Sequence, residues 1–200
     1  IDKVFIFGGD AGANVGPGTY TLKLSLDEMS SETQVTVLAD PKVNSTPAAY
    51  AEQQTMLEEI EGALKTIHES VNDMRLAKSQ LEGYAKLLKE NDDAKTLLEK
   101  GESLVKRIVS WEENLIQAKQ KTFQDVINYN NKLNAQMIHL KGYVDVAEPK
   151  ITKGAKQRWT DLQKDWQVYE KERKAIVDEE MSTYNAMYKE LSLPAIIIKN

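Results

Sequence analysis

The chain has 200 residues, a net charge of −5 and no cysteine, and 28% of its residues are charged. The mildly acidic balance argues against a general nucleic-acid binder, which carries a basic face. The lack of cysteine excludes disulfides and thiol chemistry. No apolar run approaches the roughly twenty residues that a membrane span needs. Because the sequence begins at Ile1 without a methionine or a signal peptide, we expect it to be part of a longer protein.

The first 43 residues are predicted to form a β-rich segment. Apolar and polar side chains alternate as in a half-buried strand at Tyr20, Leu22, Leu24 and Leu26. Val35 and Val37 alternate in the same way, so residues 34–38 are predicted to be the second strand of a hairpin whose polar turn is 27–32. Residues 4–7 are predicted to be a third strand. Since two or three strands are not stable alone, we expect them to pack on the helices or to complete a sheet elsewhere.

The glycines of residues 8–12 invite comparison with a phosphate-binding loop. Such a loop runs from a strand into a helix whose N-terminus faces the phosphate. Here another strand follows, and no Gly-Lys-Ser or Gly-Lys-Thr sequence is present. We therefore interpret these glycines as an ordinary loop.

A long first helix is predicted to begin at Thr46 as N-cap and Pro47 as first helical residue. It runs to about Glu90, roughly forty residues and on the order of 60 Å. Lys78 alone interrupts an apolar stripe at steps of three and four residues, which covering helices must bury. The stripe consists of Leu57, Ile60, Leu64, Ile67, Val71, Met74, Leu81, Ala85 and Leu88.

A second helix is predicted after a cap at Asp92 or Asp93. Its stripe is Leu97, Leu104, Ile108, Trp111, Leu115 and Ala118. Gly101 lies on this stripe and costs about 1 kcal/mol relative to alanine, so it requires a reason. Either another helix approaches closely there, or the helix breaks and residues 92–100 are separate. Residues 119–128 are predicted to be a connection.

Two further helices complete the prediction. The stripe of the third is Leu133, Met137, Leu140 and Val144. The fourth runs from about Thr152 to Leu191, and its stripe slips by one residue at Arg173, a stutter that locally unwinds a supercoil. The predicted fold is therefore α+β and mainly α. A short hairpin, or partial β-sandwich, in 1–43 precedes an elongated antiparallel bundle of about four helices in 44–200.

Side chains with catalytic chemistry form no recognisable motif. His68 and His139 lack both the Glu-x-x-His pairs of a di-iron site and the further ligands of a zinc site. The carboxylates of 58–59 and 178–180 are interpreted as solvated helix faces, although a glycosidase needs such a pair. Three aromatic residues could stack on a sugar ring, but they lie on the apolar stripe of the fourth helix and are therefore interpreted as core: Trp159, Trp166 and Tyr169. We predict no catalytic residue, no metal site and no cofactor.

Several short motifs together resemble the C-terminal region of the bacterial sortilin-like, BNR-repeat propeller proteins, which are called glycosyl-hydrolase-like. The strand motifs are Pro-Gly-Thr-Tyr-Thr-Leu-Lys-Leu at 17–24, then Val37 and Asp-Pro-Lys-Val at 40–43. The helical motifs are the Asn-Tyr-Asn-Asn stretch within 127–134, Tyr-Asn-Ala-Met at 184–187 and Leu-Pro-Ala-Ile at 193–196. Asn130 departs from the family proline, and the connection at Ser30 lacks the family glycine.

The resemblance implies a non-catalytic accessory region, structural or interacting, that follows a β-propeller in a larger exported protein. Its partner would be that upstream propeller, or another protein or a carbohydrate. Its location would be periplasmic or extracellular. No catalytic residue of the family maps onto these positions. Two alternatives stay open: a part of a glycoside hydrolase or carbohydrate-binding enzyme, and a stand-alone coiled-coil adaptor that dimerises through the first helix.

Overall fold

The computed structural model of the chain describes residues 11–122 and 124–193. The chain is mainly helical, about 65%, and carries one two-stranded antiparallel hairpin ahead of the helices. This confirms the predicted α+β, mainly α class. The predicted strand at 4–7, most of the glycine loop, Phe123 and the end of the last family motif lie outside the described residues.

The hairpin consists of β1 (Gly18–Leu26) and β2 (Met29–Val37). Leu26 pairs with Met29, so the turn is only Asp27 and Glu28. Asp27 has a φ of 51°, which a tight hairpin turn requires and which Asp tolerates better than most residues. The predicted turn at 27–32 is therefore wrong. Residues 29–32 of that stretch belong to β2 and pair with β1: Ser30 and Glu32 lie on its polar face, whereas Ser31 lies opposite Leu24.

Helix α1 (Pro47–Leu87) begins as predicted, because the Thr46 hydroxyl accepts a hydrogen bond from the Ala49 amide at 3.2 Å. Its predicted stripe is buried up to Leu81 and again at Leu88, but Ala85 is exposed because the stripe drifts round the helix there. Lys78 is half-buried and its Nζ lies 3.6 Å from Glu82 Oε1. The interruption of the stripe is thus an ion pair at the edge of the core.

Helix α2 (Lys95–Leu115) follows a single 3₁₀ turn, Asp92–Ala94. Asn91 caps this 3₁₀ turn, since its side chain accepts a hydrogen bond from the Asp93 amide at 3.0 Å. The N-cap position of α2 itself is Ala94, so neither predicted aspartate caps the helix. The helix continues unbroken through Gly101, and the ring of Tyr184 packs against that glycine. Close approach, not a break, is therefore the reason for this glycine. Ala118 lies beyond the helix end and is exposed.

The connection after α2 contains one helical turn, α3 (Asp125–Asn128), and leads to α4 (Leu133–Val144). Buried Gln120 organises it by donating to the Tyr129 carbonyl at 2.6 Å. The predicted stripe of α4 is buried throughout. Both α2 and α4 run antiparallel to α1: Arg75 pairs with Glu112, and the Gln53 amide donates to the Val144 carbonyl at 2.7 Å. They therefore lie end to end along α1.

The last helix is continuous from 153 to 190 but has three parts: α5 (Lys153–Ala175), a π-helical segment (Ile176–Met181) and α6 (Ser182–Glu190). It begins where the sequence predicts, near Thr152, whose hydroxyl caps it by accepting a hydrogen bond from the Ala155 amide at 3.1 Å. The π segment adds one residue per turn. It begins at Ile176, three residues after Arg173, and accommodates the one-residue slip of the stripe.

Three columns of helix therefore enclose the core. They are α1, the pair α2 and α4, and the helix of 153–190. The last column runs parallel to α1, since Trp159 Nε1 donates to Glu59 Oε2 at 2.8 Å and the rings of Tyr84 and Tyr188 lie 5.1 Å apart. The hairpin extends from the end of the bundle where α1 begins.

Candidate interaction surface

One face of the hairpin carries apolar side chains from both strands. The pairing places Tyr20 opposite Val35 and Leu26 opposite Met29. Leu22 and Leu24 lie between them on the same face, where their partners on β2 are polar, Thr33 and Ser31. Exposure is 55% for Leu22, 76% for Leu24, 64% for Leu26 and 68% for Met29. The predicted half-burial is wrong for these side chains, because no described element covers them. We call this set the hairpin apolar face: Tyr20, Leu22, Leu24, Leu26, Met29 and Val35.

The opposite face of the hairpin is polar. Lys23 and Glu32 are paired across the strands there, with Lys23 Nζ 3.3 Å from Glu32 Oε1. Thr19 and Thr36 are also neighbours, with hydroxyl oxygens 3.4 Å apart. The ionisable side chains of the two strands thus lie away from the apolar face, and the turn adds the acidic pair Asp27 and Glu28. Burying the apolar face would remove no charge of either strand from water.

The outer edges of both strands are unpaired among the described residues, since the sheet has only β1 and β2. Each strand is nine residues long and contains no proline. Natural proteins usually protect such edges with short strands, prolines, bulges or charges. Lys23 and Glu32 are the charges present in these two strands. The hairpin therefore offers an apolar face together with two long edges able to accept another strand.

The segment before β1 is fastened to the bundle by Glu61 of α1 and Lys141 of α4. Glu61 Oε1 lies 2.7 Å from Lys141 Nζ and accepts from the Ala13 amide at 2.8 Å. Lys141 also donates to the Ala11 carbonyl at 2.6 Å. The hydrogen bond from Lys141 lowers the pKa of Glu61, against the opposing effect of burial. This pin fixes where the chain enters the hairpin.

Two shallow clefts flank the base of the hairpin. The larger, about 400 Å³, is lined by Pro17, Tyr20, Pro47, Tyr50 and Gln54 among others. The smaller, about 280 Å³, has both Asp40 and Asp145 in its wall beside Tyr50. Both carboxylates accept hydrogen bonds from backbone amides: Asp145 from the distant Asn14 at 3.2 Å, and Asp40 from the nearby Lys42 at 2.8 Å. Sequence patterns gave no sign that these two aspartates share a cleft.

The carboxylates singled out in the sequence do not converge. Glu59 accepts the hydrogen bond of Trp159, and Glu58 is exposed on α1. Glu180 Oε1 lies 3.6 Å from Arg107 Nε, whereas Asp178 and Glu179 are exposed. The two groups lie at different levels of the bundle, so they form no common pocket.

The aromatic residues of the fourth stripe face inward. Trp159 is 7% exposed, and Trp166 and Tyr169 are half-buried against the core. The Tyr169 carbonyl accepts from Trp111 Nε1 at 2.8 Å, which ties α5 to α2. These three residues serve packing in this arrangement and present no exposed platform for a sugar ring.

The two histidines lie on different helices and in different surroundings. His68 is half-buried on α1, and burial lowers its pKa. His139 is exposed on α4 with its ring edge-on to Tyr143, the centroids 5.3 Å apart. Among residues 11–122 and 124–193, no three His, Asp or Glu side chains are grouped so that they could hold a metal ion.

In the part of the chain that is described, no helix has the length and apolarity to cross a membrane. No family model, no curated protein and no solved structure matches this chain.

Proposed function

We propose that this chain is a non-catalytic accessory region, structural or interacting, of a larger exported protein that contains a β-propeller and is glycosyl-hydrolase-like. The observation that carries the interaction role is the hairpin apolar face. A row of exposed leucines on a sheet is a surface for contact with another protein surface. The propeller, the export and the bacterial origin come from the resemblance of the sequence motifs.

The bundle supports a structural role in this proposal. Its stripe residues fill one continuous core, and the seam of α1 is covered by α2 and α4 of the same chain. That arrangement leaves no free stripe on α1 for a coiled-coil partner, which disfavours the adaptor alternative. The three columns of helix instead position the hairpin at one end of the bundle.

The experiment is an assay of the purified chain against neutral and acidic oligosaccharides, arylglycosides and unfolded protein substrates. The proposal predicts no turnover above a buffer blank. The sequence encoded before Ile1 is then read for propeller repeats. Turnover at enzyme-like rates, or an upstream region without such repeats, would overturn the corresponding half of the proposal.

A second candidate function, glycoside hydrolysis, is favoured by the cleft that holds Asp40 and Asp145 with Tyr50. A pair of carboxylates beside an aromatic ring is the arrangement that such chemistry needs. Against it, both carboxylates already accept hydrogen bonds from backbone amides, those of Asn14 and Lys42. If the purified chain does hydrolyse a glycoside, Asp40→Asn and Asp145→Asn should each abolish the activity, whereas Asp178→Asn at an exposed helix position should leave it unchanged.

A further inference from the structure

We infer that a small cavity between the later part of α1 and the end of the last helix binds a free, uncharged aromatic compound that carries one hydrogen-bonding group. The cavity has a volume of about 140 Å³. We call it the tyrosine cavity, and its lining residues are Ala77, Gln80, Leu81, Tyr84, Met181, Tyr184 and Asn185. The hairpin extends from the other end of α1, so this inference goes beyond the proposed function and does not depend on it.

The hydroxyl of Tyr184 is the feature that points to a ligand. Tyr184 is 5% exposed, yet its hydroxyl forms no hydrogen bond with any residue in 11–122 or 124–193. A buried hydroxyl without a partner costs free energy, which a hydrogen bond to an acceptor recovers. A ligand in the tyrosine cavity would supply that acceptor.

A molecule in the tyrosine cavity can reach this hydroxyl. Within the described part of the chain, the side-chain polar atom that is fully enclosed without a partner is Asn134 Nδ2 and not the Tyr184 oxygen. The Tyr184 side chain lines the cavity, and its ring also packs against Gly101. Because the contact with Gly101 holds the ring in place, the hydroxyl stays where the cavity gives access to it.

The size and the lining of the tyrosine cavity favour an aromatic ring. An apolar protein cavity of about 150 Å³ holds a benzene molecule, so this cavity accommodates a single ring. Ala77 and Leu81 supply apolar surface. The Tyr84 ring and the Met181 thioether are groups that make favourable contacts with an aromatic ring.

The expected ligand is uncharged. The described residues that line the cavity include no charged side chain, so an ion would lose its hydration there without gaining an opposite charge. Gln80 and Asn185 are exposed and place their amide groups where the cavity meets water. They suit a polar substituent on the ring, since a few polar groups around an apolar pocket fix the orientation of a ligand.

The π segment explains why space remains at this place. Met181 is its last residue and lines the tyrosine cavity. An extra residue in one turn interrupts the regular ridges by which two helices interdigitate, so the packing against α1 is incomplete beside it. Segments of this kind frequently occur at functional sites.

The test titrates the purified chain with phenol and follows the backbone amide signals by NMR. We expect saturable binding with a Kd of about 1 mM or tighter, and the largest shifts at residues 77–84 and 181–185. Benzoate, which is charged, should not bind. N-acetyltyrosinamide carries the same ring on a peptide unit and should bind more weakly than phenol. Tighter binding of this compound would overturn the assignment to a free ligand in favour of a side chain of a partner protein.

Two variants test the role of the Tyr184 hydroxyl. Tyr184→Phe should weaken phenol binding about 5–10-fold and leave the binding of toluene, which has no hydroxyl, unchanged. Tyr143→Phe removes the same atom from a tyrosine that is 72% exposed on α4, and it should change neither affinity. Without ligand, Tyr184→Phe should be at least as stable as the natural chain, because the hydroxyl has no partner to lose. A lower stability would assign the hydroxyl a structural role and overturn the inference.

A third variant tests the cavity itself. Ala77→Leu fills part of the tyrosine cavity and should abolish the binding of both phenol and toluene. The inference is overturned if phenol does not saturate, if the shifts lie at other residues, or if Tyr184→Phe binds phenol as well as the natural chain does. None of these results depends on turnover or on propeller repeats, so failure here is distinguishable from failure of the proposed function.

Discussion

Gly101 of α2 lies directly against the ring of Tyr184, so that a Cβ on residue 101 would stand 3.2 Å from Tyr184 Cε2. The tyrosine is 5% exposed and its neighbours are core residues, which leaves the ring little room to move. Burial raises the pKa of Tyr184, and the electrostatic effect of the nearby Tyr84 and Tyr188 raises it further. The glycine is thus what allows α2 and the last helix to meet.

Gly101→Ala should therefore destabilise the protein although alanine favours helix. We expect a loss of about 1–3 kcal/mol from overpacking, set against a helix-propensity gain of about 1 kcal/mol. Gly83→Ala is the matched control, because a Cβ at this helical glycine meets nothing within 4 Å. It should stabilise by about 0.5–1 kcal/mol. Urea unfolding of both variants measures the difference, and equal shifts of the same sign would contradict this account.

The π segment predicts an unusual tolerance to deletion. Removing Asp178, which is exposed, should restore regular α-helical spacing between the two parts of the stripe and preserve cooperative unfolding. Removing Lys164, which is also exposed, should be far more destructive. It rotates Trp166 and Tyr169 by about 100° relative to Trp159, given 3.6 residues per turn. Circular dichroism and thermal unfolding measure the helix content and stability of the two deletion variants. Similar losses of stability in both would mean that the π segment does not accommodate the one-residue slip of the stripe.

Substitutions on α1 test which face is buried. Ile67 is 0% exposed, and Ile67→Ala should cost about 2–5 kcal/mol. Leu76 is 62% exposed on the same helix, and Leu76→Ala should change stability by no more than about 0.5 kcal/mol. Chemical denaturation of both variants checks the assignment. A large loss at residue 76 would place the covering helices on the other side.

The pin at Glu61 predicts an acid-sensitive attachment of the segment before β1. The folded protein holds the pKa of Glu61 below its ordinary 4.5, first through the hydrogen bond from Lys141. Its contribution is therefore complete above that ordinary value and is lost as the pH falls through the lowered pKa. The Ala13 amide signal in NMR spectra should report this loss on acidification. Glu61→Gln should remove the pH dependence, and an unchanged titration in that variant would assign it to another group.

Periodicity made much of the bundle predictable because it is a local property of the chain. Each stripe residue predicted for α4 is buried, and the slip at Arg173 is found as the π segment. The Thr46 and Thr152 caps follow the same logic, since a cap involves residues only three apart. Prediction failed where neighbouring residues are equally good caps. Asn91, Asp92 and Asp93 are all favoured cap residues, and Asn91 is the one that caps the 3₁₀ turn.

The candidate surface was less predictable, for a physical reason. Alternation identified the strands, yet it cannot say whether an apolar face is covered, because covering depends on contacts between distant segments. The polar stretch at 30–33 suggested a long turn, although in the hairpin its side chains pair with β1. The Glu61–Lys141 pin joins two residues that carry no shared sequence signal. Asp40 and Asp145 likewise come to line one cleft only through the fold.

The end-to-end arrangement of α2 and α4 has a consequence for how the molecule comes apart. One half of the core is closed by α2 against the later part of α1, and the other by α4 against its earlier part. One core cluster runs through both halves, and we expect the half closed by the shorter helix α4 to open locally at a free energy below that of global unfolding. Opening the α4 half breaks the Lys141 pin and frees the hairpin, while the half containing Gly101 and Tyr184 stays closed. The connection between α2 and α4 thus separates a part of the bundle that holds together from a part that can open with the hairpin.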